Sequence, residues 1–94
     1  MQFTKRLREG VRRGEITTSI RIWQKLHVKV GGQYRMDRGH ISVTSIREIE
    51  IADITPRMAK DSGFDGVVDL LKTAKHGRGE RVYLISFEYD APHA

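Results

Sequence analysis

The chain has 94 residues, a net charge of +5 and no cysteine. Disulfides and thiolate metal sites are therefore excluded, and the hydrophobic core must be small. No apolar run of about eighteen residues is present, and MQFTKRLREG lacks the apolar stretch of a secretory signal, so a single domain over residues 1–94 in the cytoplasm is the expectation.

Phe3, Leu7 and Val11 recur every four residues among Lys5, Arg6, Arg8, Arg12 and Arg13. This spacing predicts a short amphipathic helix with a cationic outer surface, stopped at Gly14. Alternation follows from Ile16 to Trp23. Thr17, Ser19, Arg21 and Trp23 fall on one side, and Ile16, Ile20 and Ile22 on the other. The apolar side is expected to seal the core, and the side with the tryptophan to face outward. The alternation runs on through Lys25, His27 and Lys29 to Val30, with a bend at Gln24–Lys25.

Gly31-Gly32 marks a turn, Gln33–Met36 a short strand, and Asp37-Arg38-Gly39 a tight turn. Ser42–Ile51 reads as a long strand. Ile41 and Val43 share parity with Ile49 and Ile51 while Ile46 does not, which places a bulge near Thr44–Ile46. Thr55 caps a helix with Pro56 at its first position and a stop at Gly63. Asp65 is expected to cap the next helix, whose apolar side is Val67, Val68, Leu70, Leu71 and Ala74. Arg81–Tyr89 is a final strand, and 90–94 a frayed tail. The order predicts an α+β fold: a small mixed β-barrel with short helices flanking a cleft.

Charge is unevenly spread. Residues 1–29 hold eight Lys/Arg against two acidic residues, a net +6. Residues 72–81 hold four against one, a net +3, and residues 30–71 hold five against seven, a net −2. Two basic segments that meet in space suit phosphate. Thr17, Ser19, Arg21, Trp23, Lys25 and Lys29 combine an aromatic ring for base stacking with cations for a phosphodiester chain. Lys75, His76 and Arg78 lie beside Gly77 and Gly79, where the backbone can approach a phosphate closely. Tyr83 completes the nucleic-acid set. The four histidines show no tight ligand spacing, so no metal and no cofactor is assigned.

Gly14, Thr17, Ser19 and Arg21 resemble the signature of ASCH domains, G-x-K-x-x-E-x-R, and its variant G-x-K-T-x-T-x-R. Val30-Gly31-Gly32-Gln33-Tyr34, Asp53-Ile54-Thr55, Gly63-Phe64 and a last strand with Tyr83 and Phe87 follow in the family's order, so the resemblance covers roughly residues 3–89. It implies a PUA-like barrel with a helix-roofed cleft, usually linked to RNA. One branch of the family comprises amidohydrolases acting on acetylated cytidine through a Lys, a Thr and a Glu, and other members are described as ribonucleases. Here Ser19 stands at the nucleophile's place, Ile16 at the lysine's and Ser62 near the glutamate's.

The reading is an RNA-binding module for single-stranded, looped or modified RNA. The rival readings are a metal-independent ribonuclease using His76 or His27 with Lys75 and Arg21, and an amidohydrolase using Ser19 with Lys75 or His76 replacing the lost amine. Two binding functions also stay open, a small nucleotide or anion site and an adaptor for an acidic protein.

Overall fold

A computed structural model of the chain describes residues 1–74 and 80–92. Lys75, His76 and Arg78, expected to bind phosphate, and the end of the expected tail lie outside the described residues. In chain order the elements are helix α1 (Lys5–Arg12), strands β1 (Thr18–Trp23), β2 (Gln33–Met36) and β3 (Gly39–Ile49), a 3-10 turn (Ile51–Asp53), helices α2 (Pro56–Asp61) and α3 (Val67–Ala74), and strand β4 (Arg81–Asp90). Among the described residues no helix is long and apolar enough to cross a membrane.

The strands form one curled sheet in the order β1-β4-β3-β2, and every pairing is antiparallel. The expected mixed barrel is thus corrected among the described residues to an antiparallel half-barrel, a small α+β domain in which β1 and β2 remain as edges. β4 becomes the central strand because it pairs with β1 on one side and β3 on the other. It also runs through Asp90, opposite His40, so the tail begins one residue later than expected.

Cross-strand partners share a face of a sheet, and the register sorts the core into two layers. Ser19, Arg21 and Trp23 lie opposite Ile85, Tyr83 and Arg81. That face carries Ile41, Val43, Ile85 and Phe87, and α1 covers part of it through Phe3, Leu7 and Val11. Ile20 and Ile22 lie opposite Leu84 and Val82. They pack with Ile49, Ile54, Ala59 and Leu70 beneath α2 and α3. Ile20 and Ile22 are core as expected, in the layer beneath α2 and α3, but the other face does not turn outward: Trp23 shares it with the buried Tyr83 and Ile85. Alternation identified a strand correctly but could not say which face met which layer, because both faces of β1 are covered.

Local signals explain most boundaries. The β3 register shifts between Val43 and Ser45, so the extra residue turns Ile46 onto the same face as Val43 and sends Ile49 to the other. The bulge expected from the phase of Ile46 is therefore present, and only Ile49, counted in phase with Val43, lies on the other face. Beyond Ile49 the chain leaves the sheet. The Asp53 carboxylate accepts from the Glu50 N–H at 2.8 Å, and Ile51, expected in the strand, is exposed in the turn. Thr55 caps α2, its hydroxyl accepting from Met58 N–H at 3.1 Å. Helix α3 begins at Val67 rather than directly after Asp65. Asp65 donates its N–H to the Asp69 carboxylate at 3.1 Å. Val68, expected on the apolar side, is exposed, whereas Leu70 is fully buried.

The two helical layers meet beyond the β1 edge. Gly63, at φ +91°, brings the α2–α3 connection so close that an added Cβ would stand 2.6 Å from Ile16 Cδ1 and 2.7 Å from Leu7 Cδ2. Gly63→Ala is expected to cost about 2–4 kcal/mol, from left-handed strain plus overpacking. Gly14→Ala, at φ +75° with nothing within 4 Å of the added Cβ, is expected to cost about 1–2 kcal/mol from strain alone. Denaturant unfolding of the two variants checks the difference.

Candidate functional site: a cleft along the edge of β1

A cleft of about 680 Å³, its open mouth included, runs along β1. Five consecutive residues, Ser19 to Trp23, form its floor. Gln2, Phe3, Thr4 and Leu7 make one wall, and Ser62, Phe64, Thr73 and Ala74 the other. The walls belong to the two helical layers, and they are clasped by an ion pair between Arg6 and Asp69 at 3.3 Å.

Arg21 is the charged group of this floor. Its Nε donates to the Ser19 hydroxyl at 2.6 Å and an Nη2 hydrogen to the Gln2 carbonyl at 2.5 Å. Its Cζ lies 5.1 Å from the Phe3 ring centroid, a cation–π contact. Burial pushes the guanidinium below its ordinary value, yet among the described residues no carboxylate pairs with it. A guanidinium carries five N–H donors. Those that Ser19 and Gln2 leave over have no acceptor among the described residues.

The other cations are placed differently. Arg8 and Arg12 both pair with Asp37 at the β2–β3 turn, and Arg13 pairs with Glu9 at 2.9 Å. Arg81 holds Glu48 through two N–H donors at 2.8 and 3.3 Å, and this raises its pKa. The cationic surface expected of α1 is therefore largely matched by acids; Glu9 lies in the same helix, but sequence spacing could not show Asp37 and Asp69, which lie in other elements.

Of the residues singled out from sequence, the cleft brings together Ser19, Arg21 and Trp23. Ser19 is buried, with its oxygen accepting from Arg21. Trp23 is half-buried, edge-on to His27 at 4.7 Å and 6.2 Å from Tyr83. Tyr83 is buried in the sheet core, away from the cleft lining. Thr17 precedes β1, its N–H donating to Asp61 C=O. Lys25 and Lys29 are exposed on the segment after β1, and neither lines the cleft. Ile16, at the signature lysine's place, is buried with Phe3, Leu7 and Val11. It is a core residue as expected, but it sits under α1 rather than beside Ile20 and Ile22.

Sequence reasoning missed Phe3, Phe64 and Ser62 as cleft residues. Phe3 read as core, Phe64 entered only through the Gly63-Phe64 resemblance, and Ser62 stood only near the glutamate's place; the structure positions Ser62 through its hydroxyl contact with Thr18 at 2.7 Å. Among the described residues no three His, Asp or Glu side chains converge as metal ligands. No protein family, curated protein or solved structure matches the chain.

The Arg6–Asp69 clasp has a pH signature. The Asp65 N–H, then Arg6, hold the Asp69 carboxyl below the usual carboxylate range. A depressed pKa in the folded state gives stability that is present above the unfolded value, about 3.9, and lost as pH falls through the folded value. Asp69→Asn should therefore lower the Tm at neutral pH, and the difference from the unaltered protein should shrink and then vanish as pH falls below the unfolded value and through the lower folded one. Thermal melts across pH 2–7 check it.

Proposed function

We propose that the protein binds RNA as an unpaired strand or loop and that the β1 cleft holds one nucleotide with its phosphate on Arg21. The observation that carries this reading is a half-buried guanidinium that, among the described residues, has spare donors and no carboxylate and faces an open cleft. Burying a charge without a partner is costly, and a phosphate supplies the missing acceptors in bidentate geometry. Trp23 at one end of the floor offers a ring for a base. The cleft is floored by one strand and walled by the two helical layers, so it suits a single nucleotide of a flexible strand rather than a duplex. The ordered resemblance to ASCH domains, and a PUA-like reading of the half-barrel, point the same way.

Ser19 acts in this reading by orienting Arg21. Its hydroxyl takes a hydrogen bond from a group that does not deprotonate in proteins, which is a poor start for a nucleophile. The ribonuclease reading leans on Lys75 and His76, outside the described residues. His27 among the described ones is occupied with Trp23.

Arg21→Met keeps an unbranched, flexible side chain on the cleft floor while removing the charge. It is expected to weaken binding of a labelled single-stranded RNA at least about tenfold, or roughly 1.4 kcal/mol. The Tm should be unchanged or higher, because the desolvation cost of the charge is gone. Binding of the unaltered protein should fall with salt at a log–log slope of roughly −2 to −3.5, for about three to five phosphates. Unchanged affinity with a lower Tm would make Arg21 a structural residue and remove the proposal.

A further inference from the structure

Building on the RNA reading above, we propose that the outer edge of β1 reads the hydrogen-bonding edge of one unpaired nucleobase through the main chain of Ile20 and Ile22.

The phase of the β1–β4 ladder carries the argument. Phe87 N–H donates to Thr17 C=O at 3.0 Å, and the register runs Thr18↔Ser86 to Trp23↔Arg81. In an antiparallel pair, successive residues turn their N–H and C=O alternately toward and away from the partner. Thr17 bonds toward β4, so Ser19, Arg21 and Trp23 do as well. Thr18, Ile20 and Ile22 turn theirs away. Among the described residues β1 is an edge strand, so no strand there receives them. Among the described residues no main-chain or side-chain group bonds to the outward side of Ile20 or Ile22. The cleft lining agrees. A strand shows residues of one parity on each face, so a cavity touching all of Ser19 to Trp23 runs along the edge.

The edge is open over a short length. At the Thr18 end, Thr17 N–H is taken by Asp61 C=O and the Ser62 hydroxyl contacts that of Thr18. Two outward residues remain, a span of about 7 Å at the usual rise of a strand. That is too short to pair an added peptide strand, but it matches the width of a planar heterocycle.

Ile20 and Ile22 flank Arg21, and each turns its own C=O and N–H outward side by side as acceptor and donor. An unpaired base offers the complement, an N–H beside an acceptor on its Watson–Crick edge, and unstacked bases are read at this edge in single-stranded RNA. Because Arg21 projects its side chain from the position between these two residues, the phosphate and the base of one nucleotide are recognised within three consecutive residues. A base engaged in a duplex has that edge occupied, so the geometry selects unpaired RNA.

Hydrogen exchange and oligonucleotide binding test the proposal together. In the free protein the Ile20 and Ile22 amides should exchange far faster than those of Ser19 and Arg21. Short homo-oligonucleotides of each base are titrated, and the tightest binder should slow exchange at Ile20 and Ile22. Its counterpart methylated on the Watson–Crick nitrogen should bind about tenfold or more weakly. A backbone ester in place of the Ile22 amide, which keeps the side chain, should lower affinity for the unmethylated oligomer by a similar factor and leave the Tm unchanged.

Salt-sensitive binding that ignores methylation and the ester would overturn base reading while leaving the RNA reading in place. Absence of binding by every oligomer would overturn both. Protection of the two amides by an extended peptide but by none of the oligomers would reassign the edge to protein recognition and overturn the proposal.

Discussion

Ile16 fills the space that two glycines leave open, and the architecture depends on that contact. A Cβ on Gly10 would stand 2.6 Å from Ile16 Cδ1, and so would one on Gly63. The isoleucine thus joins α1 to the α2–α3 connection just before β1 begins, where the two helical layers come closest. One layer lies on each face of the sheet, and they meet beyond its edge rather than over it. The gap between them further along β1 is the cleft. A lysine at position 16 would bring a charge into an apolar cluster with Phe3, Leu7 and Val11 and would lose its hydration there. The isoleucine at this position therefore has a packing reason.

The same wrapping explains why Arg21 stands apart from the other cations. The arginines of α1 project from a helix surface and find acids on neighbouring elements, as Arg8 and Arg12 do at Asp37. Exposed pairs of this kind contribute little to stability, but they lower the positive charge available to a ligand. Arg21 projects from a strand whose faces are both covered, so its head reaches only the gap between the layers. It is held there by a hydroxyl, a carbonyl and a ring, none of which neutralises it. A site that keeps a charge desolvated and unpaired sacrifices some stability for binding, a common trade at functional positions.

Much of the fold was legible where a signal is local. The i, i+4 apolar spacing around Leu7 marked α1, Thr55-Pro56 marked the start of α2, and the out-of-phase Ile46 marked a bulge. Each depends on residues within a turn or two of one another. The failures share a different cause. The face of β1 that carries Trp23, the burial of Tyr83 and the exposure of Ile51 and Val68 depend on which layer covers which surface. A strand covered on both sides loses the contrast that makes alternation informative. Of the candidate site, Ser19, Arg21 and Trp23 were legible because they share one parity on one strand. Phe3, Phe64 and Ser62 were not, because the cleft takes them from elements far apart in sequence.

The sequence by itself determined the elements, their order and the basic character of the two segments flanking an acidic middle. It also determined that one arginine and the sole tryptophan sit two residues apart on the first strand. Only the tertiary structure decided that, among the described residues, this strand lies at the edge of the sheet with β4 as its single partner, and that the described helices pass around that edge without closing it. The physical reason is that strand order and layer packing are set by long-range pairing. A residue's own neighbours specify its periodicity, but not which distant surface removes it from water.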